Sequence, residues 1–234
     1  MRLGVMQPYF FPYLGYFDLI NQSDEWIVFD TGQYIRHGWV NRNRVLHPRE
    51  GRWYVLVPVK RHSLRTPIRD IEIADDGGKW RRRIIVQLQH YKKDAPFFRE
   101  TIALVEMGIL SENASLARLN VNCLRLVCEY IGIEFNHHYF SEMDLDVGSI
   151  NAAGDWALRI SEAMGASEYV NPPGGVDLYD PDTFDNAGIK LTIRQLPPLE
   201  YLCGRLELIP HLSIIDVLMW NAPEKVKEHL EMYR

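Results

Sequence analysis

Two short stretches hold most of the side chains able to do chemistry. The first is residues 6–18, M-Q-P-Y-F-F-P-Y-L-G-Y-F-D, where Gln7, Tyr9 and Tyr13 accompany two prolines and Gly15. A helix start there would offer free backbone N–H groups to an anion, and Gly15 would let a ligand come close to the chain. The second is residues 30–44, D-T-G-Q-Y-I-R-H-G-W-V-N-R-N-R. Arg36, Arg42 and Arg44 suit phosphate or carboxylate, because a guanidinium binds either in a bidentate way. Tyr34 and Trp39 offer faces to a base or to the apolar side of a sugar. Gln33, Asn41 and Asn43 can fix neutral polar groups. His37 and Asp30 are the expected proton acceptors, with His211 as a second candidate base.

Further positions extend this set. Lys60 follows an apolar run and could lengthen the second stretch. Gly174 and Gly175, in N-P-P-G-G, could form an anion nest, with Tyr179 and Asp180 continuing the wall. Asp216 interrupts an apolar helical pattern. A buried carboxylate needs a partner, and Arg42 or Arg44 is the simplest expectation. Ser213 reads as a helix N-terminal residue.

Several classes find no support. There is no Walker-type phosphate loop and no G-x-G-x-x-G. His137 and His138 would point to opposite sides of a strand, and no metal is expected. Cys123, Cys128 and Cys203 read as reduced core thiols in a cytoplasmic protein. No leader pattern and no membrane span is apparent. The chain of 234 residues carries a net charge of −5. Residues 36–93 hold 15 Lys and Arg against 5 Asp and Glu, so a basic island lies inside an acidic chain. That distribution favours a small anionic ligand over a long polyanion such as nucleic acid.

These side chains need a frame. Residues 2–6 read as a buried strand, 7–12 as a proline-rich loop, 14–21 as a helix and 25–29 as a second strand, the size of a βαβ unit. Residues 30–44 read as a loop. Strands are expected at 52–59, 67–73, 134–139, 168–170 and 189–194. Helices are expected at 80–90, 97–106, 115–131, 151–164, 212–221 and 224–232, and residues 171–182 read as turns. The expected architecture is α/β, a Rossmann-like parallel sheet flanked by helices with a helical C-terminal part, in a single domain over residues 1–234. A loop between a strand end and a helix start is the usual ligand position in such a sheet.

The sequence resembles the WbqC-like protein family. The resemblance is carried by M-Q-P-Y-F-F-P-Y-L-G-Y-F-D-L-I and Q-Y-I-R-H-G-W-V-N-R-N-R. It continues through V-P-V-K at 57–60, the Y-K-K…A-P-F region before residue 98, C-E-Y-I-G-I at 128–133, G-A-S-E-Y-V-N-P-P-G-G at 165–175 and L-S-I-I-D-V-L at 212–218. It implies a role in bacterial O-antigen or other surface-polysaccharide biosynthesis. The spacing of residues 12–16 is also similar to the His-x-Gly-His turn of the nucleotidyltransferase (HUP) and class I synthetase-like fold, with Tyr13 and Tyr16 in the histidine positions. A phenol carries no positive charge at neutral pH, so the turn would orient a ligand more than handle charge.

The expected function is acyl or aminoacyl transfer to a nucleotide-linked amino sugar. Two alternatives stay open: ATP-dependent activation of a carboxylate, and a non-catalytic sugar-nucleotide-binding module. The cofactor is open, an acyl or aminoacyl donor being one expectation, and so is assembly into a homo-oligomer.

Overall fold

In the computed structural model, which describes residues 1–74, 76–110 and 114–233, five short strands form one parallel sheet. They are β1 (Arg2–Met6), β2 (Glu25–Val28), β5 (His137–Tyr139), β6 (Glu168–Asn171) and β7 (Lys190–Ile193). Their spatial order is β5-β2-β1-β6-β7, and every pairing is parallel. Counted within the sheet, the order is 3-2-1-4-5, the doubly wound arrangement, which reverses between β1 and β6.

Strand alternation divides the interior in two. Leu3, Val5, Ile27 and Tyr169 point to one face, where they pack with Ala157, Leu158 and Ile160 of α5 (Asp155–Ala163) and with Phe184 of α6 (Pro181–Asn186). Trp26, Val28 and Val170 point to the other face, toward α1 (Leu14–Gln22). Gly4 sits between them because a Cβ there would lie 2.5 Å from the Trp26 ring. With both faces covered, the central strands β1 and β2 read as apolar runs.

The larger core continues into a helical part: α2 (Lys79–Leu88), α3 (Phe98–Ile109), α4 (Leu116–Ile131), α7 (Ile214–Trp220) and α8 (Pro223–Met232). Helix α4 begins at Ser115, whose side chain accepts from the Arg118 N–H, and ends at Gly132 with φ 74°. Both ends follow the usual capping chemistry. Between β2 and these helices stands an antiparallel hairpin of β3 (Arg42–Leu46) and β4 (Arg52–Leu56).

The structure corrects four boundaries. Residues 67–73 do not form a strand: they contain a 3₁₀ turn, Ile68–Asp70, flanked by single bridges. The apolar spacing that suggested alternation instead stacks Ile68 and Ile71, three apart, on one buried side. Residues 42–44 are not loop but strand. The buried side of β3 is Asn43 and Val45, and a strand with a buried amide lacks the apolar pattern of its neighbours. Helix α5 starts only at Asp155, whose carboxylate accepts the N–H groups of Asn151 and Ala152 and closes a turn ahead of it. Within residues 171–182, Pro173–Leu178 is a 3₁₀ segment, and Asp180 caps a short helix beginning at Pro181.

Candidate ligand-binding site

The loop from β1 to α1 has almost no freedom. Its carbonyls are taken by side chains far away in sequence. Asn120 of α4 donates to Pro8 O at 2.8 Å and also to Val40 O. Asn43 of β3 donates to Phe10 O at 3.1 Å and Phe11 O at 3.0 Å, while its own oxygen accepts from Arg44 N. Ser213 Oγ donates to Phe11 O at 2.7 Å, and Ile214 N donates to Pro12 O. The Tyr16 hydroxyl donates to Gln7 O. All three anchoring polar side chains are buried. Their hydrogen bonds stabilise the loop strongly because an unpaired buried carbonyl is costly. The loop holds Phe11 at φ 39°, a left-handed conformation that a bulky residue adopts only when its surroundings dictate it.

Above this loop lies a cavity of about 1180 Å³. It opens at the C-terminal ends of β1 and β6, where the strand order reverses, the position at which doubly wound sheets bind ligands. Met6, Gln7, Tyr9 and Tyr13 come from the front loop. Asn171, Gly174, Gly175 and Tyr179 come from β6 and the segment after it. Ile35, Trp39 and Arg44 reach it from the side of the hairpin. The remaining wall is an irregular segment, residues 194–212, contributing Leu196, Leu199, Tyr201, Leu208 and His211. Most of the surface is apolar or aromatic.

The polar groups are mainly neutral donors. Tyr169 donates to Asn171 Oδ1 at 3.0 Å and its hydroxyl lies 3.1 Å from that of Tyr179. Burial raises the pKa of Tyr9, Tyr13, Tyr169 and Tyr179, so these phenols stay protonated near neutral pH. Arg194 is neutralised by a forked pair of hydrogen bonds to buried Asp18, at 2.8 and 3.1 Å. Arg44 has no carboxylate within ion-pair distance among the described residues. Its guanidinium lies 4.8 Å from the Trp39 ring and donates to His211 O. His211 is exposed at the cavity, with φ 57° and its ring edge-on to Tyr13 at 5.8 Å.

Of the residues singled out in the sequence, Gln7, Tyr9, Tyr13, Gly15, Gln33, Trp39, Asn43, Arg44, Gly174 and Gly175 line this cavity. Others fall elsewhere. Asp30 is buried and accepts both the N–H and the Oγ of Ser141, tying β2 to the end of β5. His37 is exposed on a tight turn with φ 63°, outside the lining, as is Arg36. Tyr34 is buried in the core against His62. Asn41 donates to Val57 O. Lys60 pairs with Glu72 on the surface. Asp180 serves only its own helix cap.

Two expectations are corrected in kind. Gly15 makes room for a ring: a Cβ there would stand 2.5 Å from Tyr13 Cε2. Asp216 does not pair with Arg42 or Arg44. Its carboxylate accepts from the hydroxyls of Tyr91 and Tyr201, the latter at 2.8 Å. Burial pushes its pKa up to about 6, and the two phenol hydrogen bonds oppose the rise. Two phenol hydrogen bonds satisfy the buried carboxylate without a full counter-charge.

Tyr169, Tyr201 and, apart from His211, the segment 194–212 carry no site signal in the sequence. That segment has no periodicity, and only its length and its prolines, Pro197, Pro198 and Pro210, mark it out. Among the described residues, no group of three His, Cys, Asp or Glu side chains is placed to hold a metal ion. No helix among them is long and apolar enough to cross a membrane.

The model of the WbqC-like protein family matches residues 7–228, so the chain belongs to that family. The chain is 27% identical over 238 residues to a Mycobacterium tuberculosis (strain ATCC 25618 / H37Rv) protein described as uncharacterized protein Rv1507c. The match spans 100% of this chain and 99% of the relative. No solved structure matches the chain.

Proposed function

We propose that this member of the WbqC-like protein family is a group transferase of surface-polysaccharide biosynthesis, moving an acyl or aminoacyl group onto a nucleotide-linked amino sugar. The observation that carries this reading is the cavity at the switch point of the sheet. At about 1180 Å³ it exceeds the usual 300–1,000 Å³ of a single-ligand pocket, which suits a donor and an acceptor held together. Its apolar and aromatic lining suits an acyl chain and sugar faces. Its neutral phenols and amides suit hydroxyl and carbonyl groups.

In this reading the sugar amine attacks the carbonyl carbon of an activated acyl donor. A C–N bond forms, the bond to the leaving group breaks, and one proton leaves the nitrogen. His211 accepts that proton. It replaces His37 in this role because it stands in the cavity, whereas His37 does not. The imidazole is the side chain best matched to proton transfer near neutral pH. No cysteine serves as an acyl carrier in this scheme: none lines the cavity, and burial raises the thiols of Cys123, Cys128 and Cys203.

The test is a mass-spectrometric assay of acyl transfer from thioester donors to nucleotide-linked amino sugars. His211→Ala should lower turnover by roughly 10²-fold or more, and His37→Ala should leave it near wild type. Pyrophosphate release from ATP with a free carboxylic acid would replace this reading with carboxylate activation. Tight sugar-nucleotide binding without any turnover would replace it with an accessory binding role.

A further inference from the structure

We propose that the outer face of the β3–β4 hairpin is the phosphate site. A nucleotide-linked ligand would then point its sugar toward β1 and β6 and leave its pyrophosphate at the cavity mouth. This inference rests on the nucleotide-sugar reading and adds an orientation to it.

The hairpin register puts three guanidiniums on alternate rungs of one face. Arg42 pairs with Leu56, Arg44 with Tyr54, and Arg52 with Leu46. Alternation turns Arg42, Arg44, Arg52 and Tyr54 away from buried Asn43, Val45 and Val55. Aromatic rings hold two of the guanidiniums in place. Arg44 lies over Trp39, and Arg42 lies 4.2 Å from the centre of the Tyr54 ring. The row begins at the cavity, which Arg44 and Trp39 line, and leads outward to Arg42.

None of the three arginines has a carboxylate within ion-pair distance among the described residues, although the chain as a whole is acidic. The buried Nε atoms of Arg42 and Arg44 have no hydrogen-bond partner. Burial, and then the charge of Arg52, lowers the pKa of Arg44, so the cluster repels itself. An anion bridging these groups removes that repulsion and adds charge-assisted hydrogen bonds.

The customary phosphate position is differently furnished. The first turn of α1 has no cation, and the Tyr13 ring folds over Gly15. At the Gly174–Gly175 turn, the place a Gly175 Cβ would take is crowded by Asn171 Nδ2 at 2.6 Å. These two turns face the sugar end with neutral groups, and the charge lies on the hairpin.

Calorimetry with inorganic pyrophosphate, UDP-N-acetylglucosamine and free N-acetylglucosamine tests the assignment. Arg42→Gln, Arg44→Gln and Arg52→Gln should each weaken pyrophosphate and the nucleotide sugar by roughly tenfold, reduce the salt dependence of binding, and leave the free sugar unchanged. Asn171→Ala should weaken both sugars and spare pyrophosphate. Thermal midpoints of the arginine variants at or above wild type would establish that they fold. Pyrophosphate that wild type does not bind, or that all three variants bind like wild type, overturns the inference. Arginine-dependent pyrophosphate binding without nucleotide-sugar binding upholds the anion site and removes the nucleotide-sugar reading. Nucleotide-sugar binding that ignores all three arginines does the reverse.

Discussion

The front loop and the β3–β4 hairpin border the same cavity and are held in opposite ways. The loop is neutral, and its carbonyls from Gln7 to Pro12, apart from that of Tyr9, are fastened by groups from α1, β3, α4 and the start of α7. The outer face of the hairpin is cationic, and two of its three guanidiniums rest on rings with no acid beside them. Fixed geometry has been built where a ligand would be oriented, and unspent charge has been left where one would be attracted. Stability should therefore reside in the loop anchors and recognition in the hairpin.

The sharpest way to break that contrast is to cut an anchor. Asn43→Ala removes two hydrogen bonds to the front loop and leaves the Phe10 carbonyl unpaired, while Phe11 O keeps its bond from Ser213 Oγ. It should cost roughly 3–5 kcal/mol in urea denaturation. Arg44→Gln, one residue along on the opposite face, should change stability by no more than about 0.5 kcal/mol. Comparable losses for the two would show that the two faces do not divide the work.

Asp216 gives the next largest effect and joins the two regions. Its acceptor oxygens bind Tyr91, which also accepts from Leu46 N of the hairpin, and Tyr201 of the cavity wall. Its folded pKa of about 6 lies above the ordinary 3.8. Between those values the folded state keeps a proton that the unfolded state releases. The contribution is thus complete below about pH 4 and is lost as pH rises through 6, amounting to about 3 kcal/mol. Unfolding free energies at pH 4 to 7 should fall more steeply for wild type than for Asp216→Asn. Parallel curves would reject the shifted carboxyl.

The same contrast explains what could be read from the sequence. The parallel sheet was legible because its strands are short apolar runs separated by helical periods, as in residues 2–28. The front loop was legible as special because prolines and Gln7 break an aromatic run. Of the hairpin, β4 was legible as strand within residues 52–59 but β3 was not, because Asn43 takes a buried position where the pattern calls for an aliphatic residue. Its purpose is a bond to Phe10 and Phe11, a contact over thirty residues that no local period encodes. His37 and Asp30 drew attention by residue type and by sitting in a polar stretch. Their placement depends on a tight turn and on Ser141, which comes 111 residues after Asp30. Apart from His211, the wall of residues 194–212 was silent because irregular chain is specified by what it packs against.

A smaller effect concerns the repulsion on the hairpin. At low ionic strength Arg52→Gln should raise the unfolding free energy in urea by roughly a few tenths of a kcal/mol, since one of three like charges disappears. The gain should vanish at 1 M salt, where the Debye length is about 3 Å. A loss of stability at low salt would mean that Arg52 has a counter-ion in solution and that the cluster is already balanced.

The finest test lies at Gly15, where two terms of similar size oppose each other. Alanine is the better helix former by about 1 kcal/mol, and the position is in the first turn of α1. Against this, the added Cβ meets the Tyr13 ring at 2.5 Å, so the ring must move. Gly15→Ala alone should therefore sit within about 1 kcal/mol of wild type while weakening whatever binds against Tyr13. In a Tyr13→Ala background the clash is gone, and the same substitution should stabilise by up to about 1 kcal/mol. A double-mutant cycle in denaturant measures the difference directly. Coupling near zero would mean that Gly15 serves something other than the ring, and a ligand approaching the backbone at that turn would again be the better explanation.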